Sequence, residues 1–211
     1  MTPRFGYFAA EPYIPPGRTA MPPTQLKPIE IMREINMPID LEKFQKAYDR
    51  WVKESLADYQ AGKMEEIVKK YPFVVPDDIP WTPYQGEPST QTFALVTSGG
   101  LYLKDSQPPF DTDSIHGDTS FREIPKSSSQ EDFGIAHAHY DHALAEQDIN
   151  IIFPLQRFIE LEKEKIIGRL ADTHYSFSYV NDAATLMKKT VPDLISRLKA
   201  QTVDVLFLVP V

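Results

Sequence analysis

Four groups able to carry a proton or a metal fall within six residues, His137-Ala138-His139-Tyr140-Asp141-His142, which holds three of the five histidines of the chain. Imidazole titrates near neutral pH and is the commonest metal ligand. The string can therefore serve as a catalytic cluster of His137, His139, Asp141 and His142, or bind a metal through His137, His139 and His142. The plainer reading is a polar network bracing a loop. Thr97-Ser98-Gly99-Gly100 is a second candidate, because it follows an apolar strand. Its glycines permit close backbone approach and its amides can hold an anion, with Ser98, Gly99 and Gly100 as substrate contacts. A turn needing positive φ has the same pattern. The third is His116-Gly117-Asp118-Thr119-Ser120-Phe121-Arg122-Glu123-Ile124-Pro125. Asp118 and Arg122 have the charges to orient a zwitterionic substrate, or to pair with each other and fix the loop.

The spacing H-x-H-x-D-H is that of the two-zinc site of the metallo-β-lactamase fold. The context differs. A serine-rich stretch, Ser127-Ser128-Ser129, lies just upstream where that fold has a long apolar strand. The only later histidine is His174, where two further histidines and a bridging aspartate are required. A two-zinc hydrolase is therefore not expected. Cysteine is absent, which removes disulfides, thiolate metal sites and any thiol nucleophile from these 211 residues.

These groups need elements to position them. The chain is 42% hydrophobic and 25% charged with a net charge of -8, an ordinary globular composition whose acidic surface disfavours nucleic acid. No apolar run is long enough for a membrane span and no signal peptide is visible, so a soluble, cytoplasmic protein is expected. Of the 19 prolines, 13 lie at or before Pro88. Residues 1–88 accordingly read as a proline-rich region: an extended arm to about residue 38, ordered by lying on the core or a neighbouring subunit, then helices. Asp40 can cap a helix carrying Leu41, Phe44, Tyr48, Trp51, Val52, Leu56 and Tyr59 on one face, ended by Gly62. A shorter helix carries Met64, Ile67, Val68 and Tyr71.

From residue 89 to 211 strands alternate with helices. Phe93–Val96 and Ile151–Phe153 read as strands. Pro154 opens a helix ending near Gly168, and Asn181 or Asp182 caps another that Pro192 kinks or splits. Val203–Val209 is a nearly continuous apolar run, as in a strand covered on both faces. The expected fold class is α/β: a mostly parallel sheet with flanking helices, Rossmann-like or flavodoxin-like in its layers.

Several strings in order carry a resemblance: Phe93 to Tyr102, Gly117 to Pro125, His137 to His142 with Asp148, Asn150, Phe153, Pro154 and Leu155, then Ile167-Gly168, Leu170-Ala171 and His174-Tyr175-Ser176-Phe177. Over about residues 90 to 211 the chain resembles the selenoprotein B family of glycine, sarcosine, betaine and D-proline reductases; the arm and first helices carry no comparable likeness. The resemblance implies reductive cleavage of a carbon–nitrogen bond beside a carboxylate, a second, pyruvoyl-bearing subunit, and a hetero- or homo-oligomer. It also implies a selenocysteine or cysteine nucleophile just after a strand like Val205–Val211, and the reading frame is expected to continue there through a UGA codon. The alternatives are a non-catalytic binding or assembly partner with this fold, and a metal-dependent hydrolase.

Overall fold

A computed structural model describes residues 40–75 and 83–211. The extended arm falls outside them, as does part of the stretch from Pro72 to Pro88. The described helices are α1 (Leu41–Gln60), α2 (Met64–Lys70), α3 (Ala143–Gln147), α4 (Leu155–Lys163), α5 (Ala183–Thr185) and α6 (Val191–Ala200). The strands are β1 (Thr92–Thr97), β2 (Leu101–Leu103), β3 (Arg122–Pro125), β4 (Phe133–Ile135), β5 (Arg169–Leu170), β6 (Thr173–Ser176) and β7 (Val205–Val209).

β1 organises the molecule. It pairs in parallel with β5 and β6 along one side and with β7 along the other, while β3 joins β6 antiparallel. Its side chains alternate between two cores. Phe93 and Leu95 pack with Phe153, Leu155 and Phe158 beside α4. Ala94 and Val96 pack with Leu194 and Leu198 of α6. The fold is thus α/β with a mostly parallel main sheet, and a small antiparallel ribbon of β2 and β4 stands apart from it.

The first helix forms where its pattern places it. The Asp40 carboxylate accepts from the Lys43 amide at 2.9 Å, and Leu41, Phe44, Tyr48 and Trp51 are buried at helical spacing. Gly62, at φ 70°, reverses the chain into α2. The apolar stripe is a packing surface: Phe44, Tyr48, Trp51 and Ile67 form one cluster with Ile115 and Ala184 of the α/β part. Trp51 Nε1 donates to the Ile67 carbonyl at 3.0 Å, serving one of the last carbonyls of α2. Trp51→Phe keeps an apolar ring but strands that acceptor, so urea titration should show a loss of about 2 kcal/mol. An unchanged midpoint would mean that the two helices do not depend on this contact.

Three sequence expectations need correction. Ile151–Phe153 is not a strand: Ile149–Ile151 is a 3-10 turn whose first turn is capped by Asp148, which accepts from the Asn150 amide at 3.0 Å. Ile152 and Phe153 reach the core from the turn without any ladder. The helix after Pro154 stops at Lys163, not near Gly168, because Lys165 at φ 61° turns the chain. Gly168 instead touches backbone: a Cβ there would lie 2.7 Å from the Thr90 carbonyl carbon. Finally, β7 is not covered on both faces. It is an edge strand among the described residues, with Leu206, Phe207 and Leu208 exposed, and only Phe207 leans on a core ring, Phe158, at 5.0 Å. A continuous apolar run reports the composition of a strand, not its place in the sheet. The helical run around Pro192 is continuous from Ala183 to Ala200 but changes its winding: a π-helical segment, Leu186–Thr190, precedes α6, which has Pro192 in its first turn.

Candidate functional site

Because β1, β6 and β7 run parallel, their carboxyl ends lie on one side, where open α/β sheets form their sites. The chain leaves β1 there through Ser98, Gly99 and Gly100. Gly100 takes φ 72°, and an added Cβ would lie 2.4 Å from the Ala136 carbonyl oxygen and 2.9 Å from His137 Cβ. The turn is knitted to its surroundings. Gly100 N–H donates to the Phe177 carbonyl at 2.8 Å, Gly99 N–H to Thr97 Oγ1 at 3.0 Å, and Ala136 N–H to the Gly100 carbonyl at 2.8 Å. Both glycine amides are therefore engaged within the protein. Ser98 sits against β7: its hydroxyl accepts from the Val211 amide at 2.9 Å.

The histidine string runs directly off the strand partner of this turn, so two of the three sequence candidates meet. Tyr140 donates its hydroxyl to the Gly99 carbonyl at 2.9 Å, tying the string across the turn. His137 is buried and its Nδ1 accepts from the His139 amide at 3.2 Å, which leaves the proton of the neutral ring on Nε2. Burial, with the His139 and His142 charges adding to it, pushes His137 down to about 4. His142 Nε2 donates to the His137 carbonyl at 2.7 Å, leaving Nδ1 as its open ring nitrogen. His139 stacks edge-on to Tyr179 with centroids 4.1 Å apart, and burial lowers its pKa. Asp141 is exposed and accepts from the Ala143 amide at 3.0 Å, starting α3. Burial, with a contribution from Glu146, pushes the Tyr140 phenol up to about 12.

Among the described residues no three histidine or carboxylate side chains converge as a metal site. The reason is local, since His137 Nδ1 and His142 Nε2 are both turned onto the backbone of their own string. Facing His137 and His142 is a cleft of about 480 Å3, whose other walls include Tyr102, Phe110, Asp111 and Asp113. Tyr179 and the Pro109–Asp113 wall have no local signal in the sequence, and Tyr102 enters it only as the end of the Phe93–Tyr102 string, two residues after Gly100.

Asp118 and Arg122 pair at 3.5 Å. Arg122 also donates from Nε to the Pro108 carbonyl at 2.9 Å and from Nη2 to the Pro109 carbonyl at 3.1 Å, with its guanidinium 4.0 Å over the Phe110 ring. Asp118 accepts from the Ser120 and Asp111 amides at 2.9 and 3.2 Å. Burial pushes its carboxyl up, but the Ser120 and Asp111 hydrogen bonds and the Arg122 charge outweigh this and hold it below the ordinary range. Both residues stand behind the cleft wall and outside the cleft lining. His174 lies elsewhere, buried in the sheet.

Residues 25–210 match the family described as glycine/sarcosine/betaine reductase selenoprotein B. The match reaches back through α1 and α2, which corrects the expectation that the likeness starts near residue 90. The chain is 33% identical over 129 residues to the D-proline reductase subunit gamma of Acetoanaerobium sticklandii, covering 61% of this chain and 52% of that protein. It is 33% identical over 113 residues to the sarcosine reductase complex component B subunit beta of Peptoclostridium acidaminophilum, covering 51% and 25%. It is 30% identical over 148 residues to the glycine reductase complex component B subunit gamma of Carboxydothermus hydrogenoformans, covering 69% and 34%. The chain thus spans about half, or less, of the length of these relatives. No solved structure matches it. The family match takes in every described strand and helix that builds the cleft, and the chain belongs to the glycine/sarcosine/betaine reductase selenoprotein B family.

Proposed function

We propose that this chain works as a subunit of a reductase complex that cleaves a carbon–nitrogen bond of an amino acid or related small molecule, with the reacting end of the substrate in the cleft before His137 and His142. The observation that carries this reading is the joining of the histidine string to the Ser98–Gly100 turn at the carboxyl end of the parallel sheet, in a chain of this family. His142 is the proton carrier: its Nε2 is anchored on a carbonyl, so Nδ1 can deliver a proton to the amine as the bond breaks. His137, held neutral with its proton on Nε2, has that N–H to offer to the substrate. Asp141 orients the string as the start of α3.

The chain contains no cysteine. The selenolate or thiolate that attacks carbon in the family reaction is supplied by polypeptide following β7 or by a partner subunit, and it enters beside Ser98, where the end of β7 is bonded. An ionised selenolate would supply nucleophilic attack at neutral pH. The assembly is proposed to be cytoplasmic and hetero-oligomeric; no helix among the described residues is long and apolar enough to cross a membrane.

The test is reductive carbon–nitrogen cleavage under a dithiol reductant by the complex purified from its native source, offered glycine, sarcosine, betaine and D-proline in turn, and read as free amine for the first three and as the ring-opened amino acid for cyclic D-proline. One of them is expected to be turned over. His142→Ala in that complex should slow cleavage about a hundredfold with melting temperature preserved. An intact complex that cleaves none of them overturns the reading.

A further inference from the structure

Arg122 and Asp118 pair with each other outside the lining of the cleft. The guanidinium donates to the Pro108 and Pro109 carbonyls and lies over Phe110, which spends its fork on one short segment. Asp118 takes the Asp111 amide, the next residue along the same segment. Asp111 then continues the tie, its Oδ1 accepting from the Asp113 and Ser114 amides at 3.0 and 3.1 Å. Pro109, Phe110, Asp111 and Asp113 line the cleft opposite His137 and His142. The segment has no strand or helix of its own from Gln107 to Asp111; its two ends are held at Gln107, whose amide donates to the Leu103 carbonyl at 2.9 Å, and at Asp113, whose carbonyl accepts from the Tyr59 hydroxyl at 3.0 Å, which leaves the stretch between them to the Arg122 fork and Asp118.

We infer that Arg122 and Asp118 are positioning residues which, through the Pro108–Asp113 wall, set the width of the cleft before His137 and His142. The inference rests on the reading of that cleft as the substrate site, and it deepens it. A planar fork is needed: lysine retains the charge but can hold neither both proline carbonyls nor the face of Phe110. Loss of the fork should loosen the wall, because Asp118 and Arg122 are tied by their direct pair and by the Ser120 hydroxyl, which donates to Asp118 and accepts from Arg122 Nη1 at 2.7 Å, and both ties go with the guanidinium.

The experiment uses the intact protein, not turnover, so it can fail while the reductase reading stands. Arg122→Lys and Arg122→Ala are compared with the parent by hydrogen exchange and by diethyl pyrocarbonate, a small electrophile whose attack on each of the five histidines is mapped by mass spectrometry. Both variants should raise exchange over residues 108–114 and raise modification of His142 or His137 by about tenfold. His174, buried in the sheet, is the internal control and should stay unreactive. Millimolar guanidinium should restore protection to Arg122→Ala, whereas methylammonium should not. Unchanged exchange and reactivity overturn the inference. So does raised exchange with no change at His137 and His142, which makes the pair a loop staple alone, and so does equal rescue by the two cations.

Discussion

Gly100→Ala is expected to destabilise the protein by about 4 kcal/mol and to take the histidine string out of place with it. Two effects add. Gly100 sits at φ 72°, where a Cβ is strained. That Cβ also meets the Ala136 carbonyl oxygen at 2.4 Å and its carbon at 2.8 Å, and these are backbone atoms with no rotamer to escape into. The carbonyl cannot yield easily, because it accepts from the Ser178 hydroxyl at 2.7 Å. Gly62 separates the two effects. It has φ 70° but nothing within 4 Å of the added Cβ, so Gly62→Ala should cost only about 1 kcal/mol. Urea titration of both variants gives the comparison. Equal losses would mean that close approach at Gly100 is relieved, and that the turn does not hold His137 as described. A Gly100→Ala protein that folds should also show altered His137 and His142 ring signals, since His137 Cβ lies 2.9 Å from the intruding atom.

What the sequence makes legible is what local interactions decide. The first helix follows from its apolar spacing and from Asp40, four residues from Phe44. β1 and the glycine turn follow from an apolar run ending in Ser98-Gly99-Gly100. What stays hidden depends on partners far along the chain. β2 and β4 have three residues each and exist only by facing one another, Leu101 opposite Ile135. β7 has the composition of an interior strand, and only the sheet order places it at the edge among the described residues. Ile151–Phe153 is apolar enough for a strand, yet a capping Asp148 is sufficient to wind its start into a turn.

The site divides along the same line. That the histidine string and the glycine turn each carried chemistry-bearing residues was readable; that the two are joined through Ala136 and Tyr140 was not. The charges of Asp118 and Arg122 suggested either a zwitterion clamp or a pair. The pair forms, and the arginine reaches carbonyls 14 and 13 residues upstream, which no periodic pattern announces. The ligand spacing of the histidine string is visible in sequence, whereas ring orientation is set by backbone groups nearby, the His139 amide donating to His137 and the His137 carbonyl accepting from His142.

His174 is expected to make the protein less stable in acid. β5 and β6 lie on the same side of β1 with a break between them, and the Leu95 amide falls opposite that break. His174 Nδ1 fills the gap, accepting from Leu95 N–H at 3.2 Å, so the neutral ring carries its proton on Nε2. Nε2 is buried with no partner among the described residues. Burial first, and the Lys126 charge second, push the pKa down from 6.5 to about 4, against a smaller opposing effect of Asp172. Above pH 6.5 the ring is neutral in both folded and unfolded chains, and its titration leaves stability unchanged. Between 6.5 and about 4 the unfolded chain takes up a proton that the folded one refuses, so stability falls as pH falls, by about 3 kcal/mol over the window. His137, pushed down to about 4 as well, steepens the same slope. His174→Asn places an amide oxygen near the Nδ1 position, keeps an acceptor for Leu95 and removes the titration. The variant should be less stable at pH 8, having lost ring packing against Phe153, but its stability should fall less steeply from pH 6.5 to 4. Urea titrations of both proteins across that range measure the two slopes. Parallel curves would place the acid sensitivity elsewhere and return His174 to a packing role alone.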